Sequence, residues 1–169
     1  LEPHTIRLLV VHCSATPPSA DIGAAEIRRW HTSSPNNWSD IGYHGVIRRD
    51  GTFEAGRPLH RIGAHARGWN SMSWGLCLVG GVQEADHQNP EANYTPEQYD
   101  TLCAKLRGHY QYFGVRCNSS CLDQVYYAAV RAWHYWLRRR GGRKWTWEKF
   151  NSLQSDYPLP RPRIVHSWV

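Results

Sequence analysis

The sequence predicts one α/β domain, on three observations. Two short apolar runs, Leu8-Leu9-Val10-Val11-His12 and Gly75-Leu76-Cys77-Leu78-Val79, have the length and composition of buried strands. Two longer stretches, 95–113 and 123–140, repeat apolar residues every three or four positions, as helices packed on a core do. A chain of 169 residues with 41% hydrophobic content has enough apolar side chains for one core and is the size of one domain.

The elements follow in chain order. His12 ends the first run. Asp21 is placed to cap a helix whose apolar stripe is Ile22, Ala25, Ile27 and Trp30, stopped by the turn-forming Ser33-Ser34-Pro35-Asn36-Asn37. Residues 43–49 and 52–55 flank Asp50-Gly51, and this pattern predicts a β-hairpin with a type I′ turn. Gly80-Gly81 closes the next strand. Thr95-Pro96-Glu97-Gln98 has an N-cap Thr, Pro at the first helical position and Gln placed for a capping box, ahead of the stripe Tyr99, Leu102, Cys103, Leu106, Tyr110 and Phe113 that ends at Gly114. The second long helix has the stripe Val125, Ala128, Ala129, Ala132, Trp133, Trp136 and Leu137, with Arg138-Arg139-Arg140 suited to its negative end and Gly141 to cap it. From Asn151 onward, prolines at 158, 160 and 162 predict irregular chain.

Charge divides the sequence. Residues 1–114 carry 10 Lys+Arg against 11 Asp+Glu, whereas residues 115–169 carry 10 against 3 and hold five of the nine Trp. A basic segment of this kind suits a polyanion or an anionic membrane surface, and a solvated charged face is the plainer account. Its Trp133, Trp136 and arginine run describe a helix that lies in a membrane interface or else packs its stripe on the sheet, and packing is the commoner fate. Nucleic acid is disfavoured, because the basic segment's aromatic face has a simpler use in packing. Five cysteines, an odd number without disulfide-framework spacing, predict a mostly reduced protein, with Cys77 and Cys103 as core fillers. No stretch has the roughly 20 apolar residues of a membrane span or the pattern of a secretory signal. Localisation is left between cytoplasmic synthesis with action on a cell wall and secretion after removal of a leader.

One histidine at a strand end is ambiguous by itself. The order of the local patterns adds information: Val11-His12-Cys13-Ser14-Ala15-Thr16, then Gly42-Tyr43-His44, then Arg49-Asp50-Gly51-Thr52 with Glu54-Ala55-Gly56-Arg57, then Gly63-Ala64-His65-Ala66 with Asn70, then Ser73-Trp74-Gly75 leading into the second strand. Over about residues 6–113 this set resembles the N-acetylmuramoyl-L-alanine amidase family that includes the phage T7 lysozyme and the animal peptidoglycan-recognition proteins. The resemblance implies a mixed central β-sheet flanked by helices in a single domain, with a groove holding one Zn2+. It implies that His12 is a zinc ligand, that Tyr43 assists catalysis beside the metal, and that His65 and Asn70 belong to the groove wall that meets the muropeptide. The reaction so implied is hydrolysis of the amide between N-acetylmuramic acid and L-alanine in peptidoglycan. Zinc suits it, because the metal polarises the carbonyl and lowers the pKa of a bound water to about 7. Strand alternation turns Cys13 away from a metal held by His12, and His44 away from Tyr43.

Beyond residue 114 the family pattern stops. The second and third zinc ligands are unassigned, and the available donors are Cys117, Cys121, Asp123, His134 and His166. Helical arithmetic places His134 opposite the apolar stripe, facing solvent. Residues 1–114 therefore form the amidase-like core, and residues 115–169 an atypical basic segment with one amphipathic helix, packed on or appended to it. Three accounts of that segment stay open: a replacement that supplies ligands by another route, a replacement that leaves a non-catalytic peptidoglycan binder, or a change of reading frame.

Overall fold

The computed structural model of the chain describes residues 6, 8–113, 119–141 and 146–164, with the side chains of 112, 113, 119–121, 125, 128, 132, 136, 137 and 139–141 outside that description. In chain order the elements are β1 (Leu8–Cys13), α1 (Ala24–Thr32), β2 (Gly45–Ile47), β3 (Phe53–Ala55), β4 (Ser73–Leu78), α2 (Pro96–Phe113), α3 (Ser119–Gly141) and α4 (Trp147–Asp156). The strands form one mixed sheet in the order β1-β4-β2-β3. β4 is parallel to both β1 and β2, and β3 runs antiparallel to β2.

Strand alternation sorts the apolar side chains onto two faces. Leu9, Ile47, Leu76 and Leu78 pack with Leu102, Leu106 and Tyr110 of α2, Leu122 of α3 and Leu159 beyond α4. Val46, Cys77 and Val79 pack on the other face with Ala24 and Ile27 of α1 and with Ile41. The register pairs His12 with Cys77 and Cys13 with Leu78, so these neighbours face opposite sides, as strand alternation predicts.

α2 starts as expected. Thr95 Oγ1 accepts the Gln98 N–H at 3.2 Å, and Gln98 Oε1 accepts the Thr95 N–H at 3.1 Å. The Gln98 side chain is fully buried, and its amide donates to Ile47 O at 3.1 Å and Val79 O at 2.9 Å, which ties the helix to the ends of β2 and β4. Cys77 and Cys103 are buried in the core, as the sequence predicts.

Other expectations need correction. Gly23, not Asp21, is the N-cap of α1, and the helix end is satisfied by Glu54 of β3, which accepts the Ala24 N–H at 2.6 Å. Asp21 instead pairs with Arg48. The buried positions of α1 are Ala24 and Ile27, while Ala25 is exposed and Trp30 is 41% exposed. At the hairpin only Gly51 has a positive φ, of +83°, and its N–H reaches Arg48 O at 2.9 Å. That is a type I turn ended by a left-handed glycine, not a type I′ turn. β2 begins at Gly45, so Tyr43 and His44 lie in the segment leading into it.

The irregular tail starts after Asp156 and not at Asn151 as the sequence predicts, because residues 151–156 continue α4, and the prolines at 158, 160 and 162 all follow it. Thr146 caps that helix by accepting the Lys149 N–H at 3.4 Å. α3 packs against β1. Ala129 is buried, and the Trp133 ring meets Phe150 of α4 edge-on at 5.3 Å, so Trp133 is packed inward and not presented to a membrane. His134 is 5% exposed and stacks on Trp147 at 3.7 Å, whereas the sequence predicts a solvent-facing ring. The helical angle was right in isolation, and α4 covers the position. The predicted roles of Cys117 and His166 fall outside the described residues, as does the side chain of Trp136, and α3 runs through Gly141, the residue the sequence places as its cap. Among the described residues no helix is long and apolar enough to cross a membrane.

Candidate active site

Histidine and tyrosine side chains meet where β1 ends beside the segment entering β2. His12 is nearly buried at the end of β1. Its ring centroid lies 5.1 Å from that of Tyr43, and its Nε2 is 3.1 Å from His65 Nδ1. The sequence-predicted trio His12, Tyr43 and His65 is therefore brought together by chain segments 22 to 53 residues apart.

Each member is held by backbone. His65 sits against Gly75 of β4, where even a β-carbon would fall 2.5 Å from the imidazole, so only glycine leaves room for the ring. The loop bearing His65 is clamped by Asn70, whose Oδ1 accepts the N–H groups of His65 at 2.9 Å and Ala66 at 2.8 Å. Asn70 thus supports the groove wall from within. Arg57 fixes the approach to Tyr43, with its guanidinium donating to Ile41 O and Ile62 O, each at 2.7 Å, and to Asp40 O at 3.2 Å.

Three further residues complete the site, and sequence reasoning did not select them. His44 Nδ1 accepts the Gly75 N–H at 3.0 Å, so its proton is on Nε2, which donates to Arg61 O at 3.0 Å. His31, in the last turn of α1, accepts the Gly42 N–H on Nδ1 at 3.0 Å and lies 5.5 Å from the Tyr43 ring. Ser73 donates to Trp69 O at 2.7 Å, and its hydroxyl lies 3.5 Å from His65 Nε2. The direction of the hydrogen bond between His12 Nε2 and His65 Nδ1 follows the tautomers of the two rings. His44 and Ser73 stand inside the quoted motifs Gly42-Tyr43-His44 and Ser73-Trp74-Gly75, whereas His31 lies in none of them.

The site favours neutral imidazoles. Burial pushes the His65 pKa down to about 4, and His44 and the Arg57 charge add to the effect. Burial lowers His31 and His44 as well, again with Arg57 contributing. Neutral imidazole is the form that binds metal or accepts a proton.

A hydrolytic zinc takes three protein ligands and keeps one position open. Among the described residues no three His, Cys, Asp or Glu side chains converge in that way. His12 and His65 are a pair, Asp123 is exposed on α3, and His134 lies under Trp147. Cys117, His166 and the Cys121 side chain are outside the described residues. The described residues do not by themselves make a zinc centre.

A profile of the N-acetylmuramoyl-L-alanine amidase family matches residues 2–145, which extends past residue 113 and through α3. The endolysin of Enterobacteria phage K11 is 52% identical over 103 residues, covering 59% of this chain and 66% of that protein. The endolysin of Escherichia phage T7 is 49% identical over 98 residues, covering 58% and 62%. These alignments span less than two thirds of either phage protein. Among solved structures, the N-acetylmuramoyl-L-alanine amidase LysC from Clostridium intestinale URNW superposes with a TM-score of 0.53 at 30% identity, over 64% of each chain.

Proposed function

The chain belongs to the N-acetylmuramoyl-L-alanine amidase family, and from that premise we propose that it hydrolyses the lactyl amide between N-acetylmuramic acid and L-alanine in peptidoglycan, as an endolysin or cell-wall remodelling enzyme. The observation that carries this reading is the convergence of Tyr43 and His65 on His12 beside a buried, backbone-braced wall. An amide is a poor electrophile, and its hydrolysis passes through a tetrahedral oxyanion. The Tyr43 hydroxyl is the group that donates a hydrogen bond to that oxygen, an interaction of a kind worth about 3 kcal/mol to the transition state. His65, with the loop that Asn70 braces, orients the muropeptide against the wall. Zinc belongs to the same proposal, with His12 as a ligand; when bound it would polarise the amide carbonyl and activate water.

A second reading is a muropeptide-binding module with an incomplete metal site. It is favoured by one observation, that among the described residues no three His, Cys, Asp or Glu side chains are grouped so as to hold a metal ion. Metal analysis after dialysis, combined with incubation on purified sacculi, separates the two readings. An amidase retains close to one zinc per chain and generates new L-alanine amino termini without new reducing ends. A binding module co-sediments with sacculi and generates neither. The variant His12→Ala loses both zinc and amide hydrolysis on the first reading, and full activity in that variant would remove His12 from the mechanism.

A further inference from the structure

α3 carries a second pattern on its outer side. Tyr127 is 55% and Tyr135 54% exposed, and Arg131 and Arg138 are exposed as well. At 100° per residue these four fall within an arc of about 80°, so phenol and guanidinium groups alternate along one stripe roughly 17 Å long. The stripe is not on the core side, because Leu122, Ala129 and Trp133 turn toward β1 and α4. It also lies away from His12, Tyr43 and His65, since α3 covers the sheet face opposite theirs. Lys149, Arg161 and Arg163 are exposed nearby in sequence, within a segment that carries 10 Lys+Arg against 3 Asp+Glu.

We propose that the outer face of α3 binds the surface of an anionic phospholipid bilayer, with Tyr127 and Tyr135 at headgroup level and Arg131 and Arg138 against lipid phosphates. Tyrosine suits that depth because one end of the ring is apolar and the other is wet. The straight convex stripe matches a flat surface. It matches a nucleic acid strand poorly, because the two rings are about 12 Å apart along the helix and successive bases rise only about 3.4 Å. This inference does not depend on the hydrolytic reading, since the stripe is remote from the site.

The test is co-sedimentation of the full chain with phosphatidylcholine vesicles containing 30% phosphatidylglycerol, and with phosphatidylcholine alone. Binding is expected to the anionic vesicles only, and to disappear at high salt. Each surface charge contributes roughly a fivefold change in partition, so Arg131→Gln with Arg138→Gln should weaken it about 30-fold. Tyr127→Ser with Tyr135→Ser should weaken it severalfold at unchanged charge. The control pair Arg29→Gln with Arg67→Gln removes the same charge from exposed positions elsewhere and should leave binding within about twofold. The proposal is overturned by equal binding to neutral vesicles, by no binding to anionic ones, or by a control pair as costly as the stripe pair. Tighter, stripe-dependent binding of a short single-stranded DNA would also overturn it, by assigning the face to nucleic acid.

Discussion

Replacing His44 by leucine tests whether the site wall is held by a neutral imidazole. His44 is 3% exposed, and its ring makes two hydrogen bonds of 3.0 Å, accepting from Gly75 N–H and donating to Arg61 O. Leucine fills similar space and makes neither. The Gly75 N–H is buried in the sheet, and stranding a buried donor costs about 1–3 kcal/mol. Arg61 is exposed, so its carbonyl can turn to water at little cost. The expected loss is therefore about 2 kcal/mol, or roughly 4–8 °C in Tm for a chain of this size. Urea unfolding at pH 7.5 and at pH 5 provides the assay. Burial lowers the folded-state pKa of His44 below the usual value near 6.5, so the unfolded chain binds more protons once pH drops below 6.5. The stability contributed by neutral His44 is fully present above pH 6.5 and is lost as pH falls toward the folded pKa. The wild type thus loses this contribution in acid and the variant has none to lose, so the gap between them should narrow at pH 5. A variant as stable as wild type at pH 7.5, or a gap that widens in acid, would refute the bonding scheme.

Further outcomes follow from the same geometry. Wild-type stability should fall progressively from pH 6.5 toward pH 4, because His65 and His109 are both pushed down to about 4 by burial, and for His65 alone the shift corresponds to about 3 kcal/mol; urea midpoints that stay flat across this range would show that the rings are not held neutral. Gln98→Ala removes a capping partner and leaves the carbonyls of Ile47 and Val79 without their shared donor, so denaturant unfolding should show a loss of about 3 kcal/mol, and a loss below 1 would mean that water replaces the amide. Tyr43→Phe should keep the fold and any bound zinc while lowering peptidoglycan turnover about 100-fold, with a parallel loss of zinc counting against an oxyanion role.

Where chemistry was local, the sequence disclosed it. The apolar runs at β1 and β4 and the Thr95–Gln98 capping box needed only neighbouring residues to be read, and each is present in the fold. Asp50-Gly51 located its turn but not the turn type, since a left-handed glycine serves both type I with a following bulge and type I′. The motif order selected His12, Tyr43 and His65, yet their convergence depends on β1 pairing with β4 and on the space that Gly75 leaves for a ring. A pairing between residues 53 apart in sequence has no local signature.

The last third was harder to read for a related reason. Helical arithmetic distinguishes one side of α3 from the other, but it does not say whether a further element covers the side away from the apolar stripe. α4 does so at His134, which is why a ring expected in water is stacked on Trp147. The same arithmetic leaves Tyr127 and Tyr135 about half exposed on the outer side. Of the two fates the sequence leaves open for this helix, packing, the commoner one, holds for Trp133. Trp133, the more apolar ring, is used in packing against Phe150, while the two tyrosines, whose hydroxyls tolerate water, occupy the outer face. Burial of an aromatic side chain here follows which element packs over it, and that is fixed by the short helix whose only local signals were the cap at Thr146 and the prolines that follow.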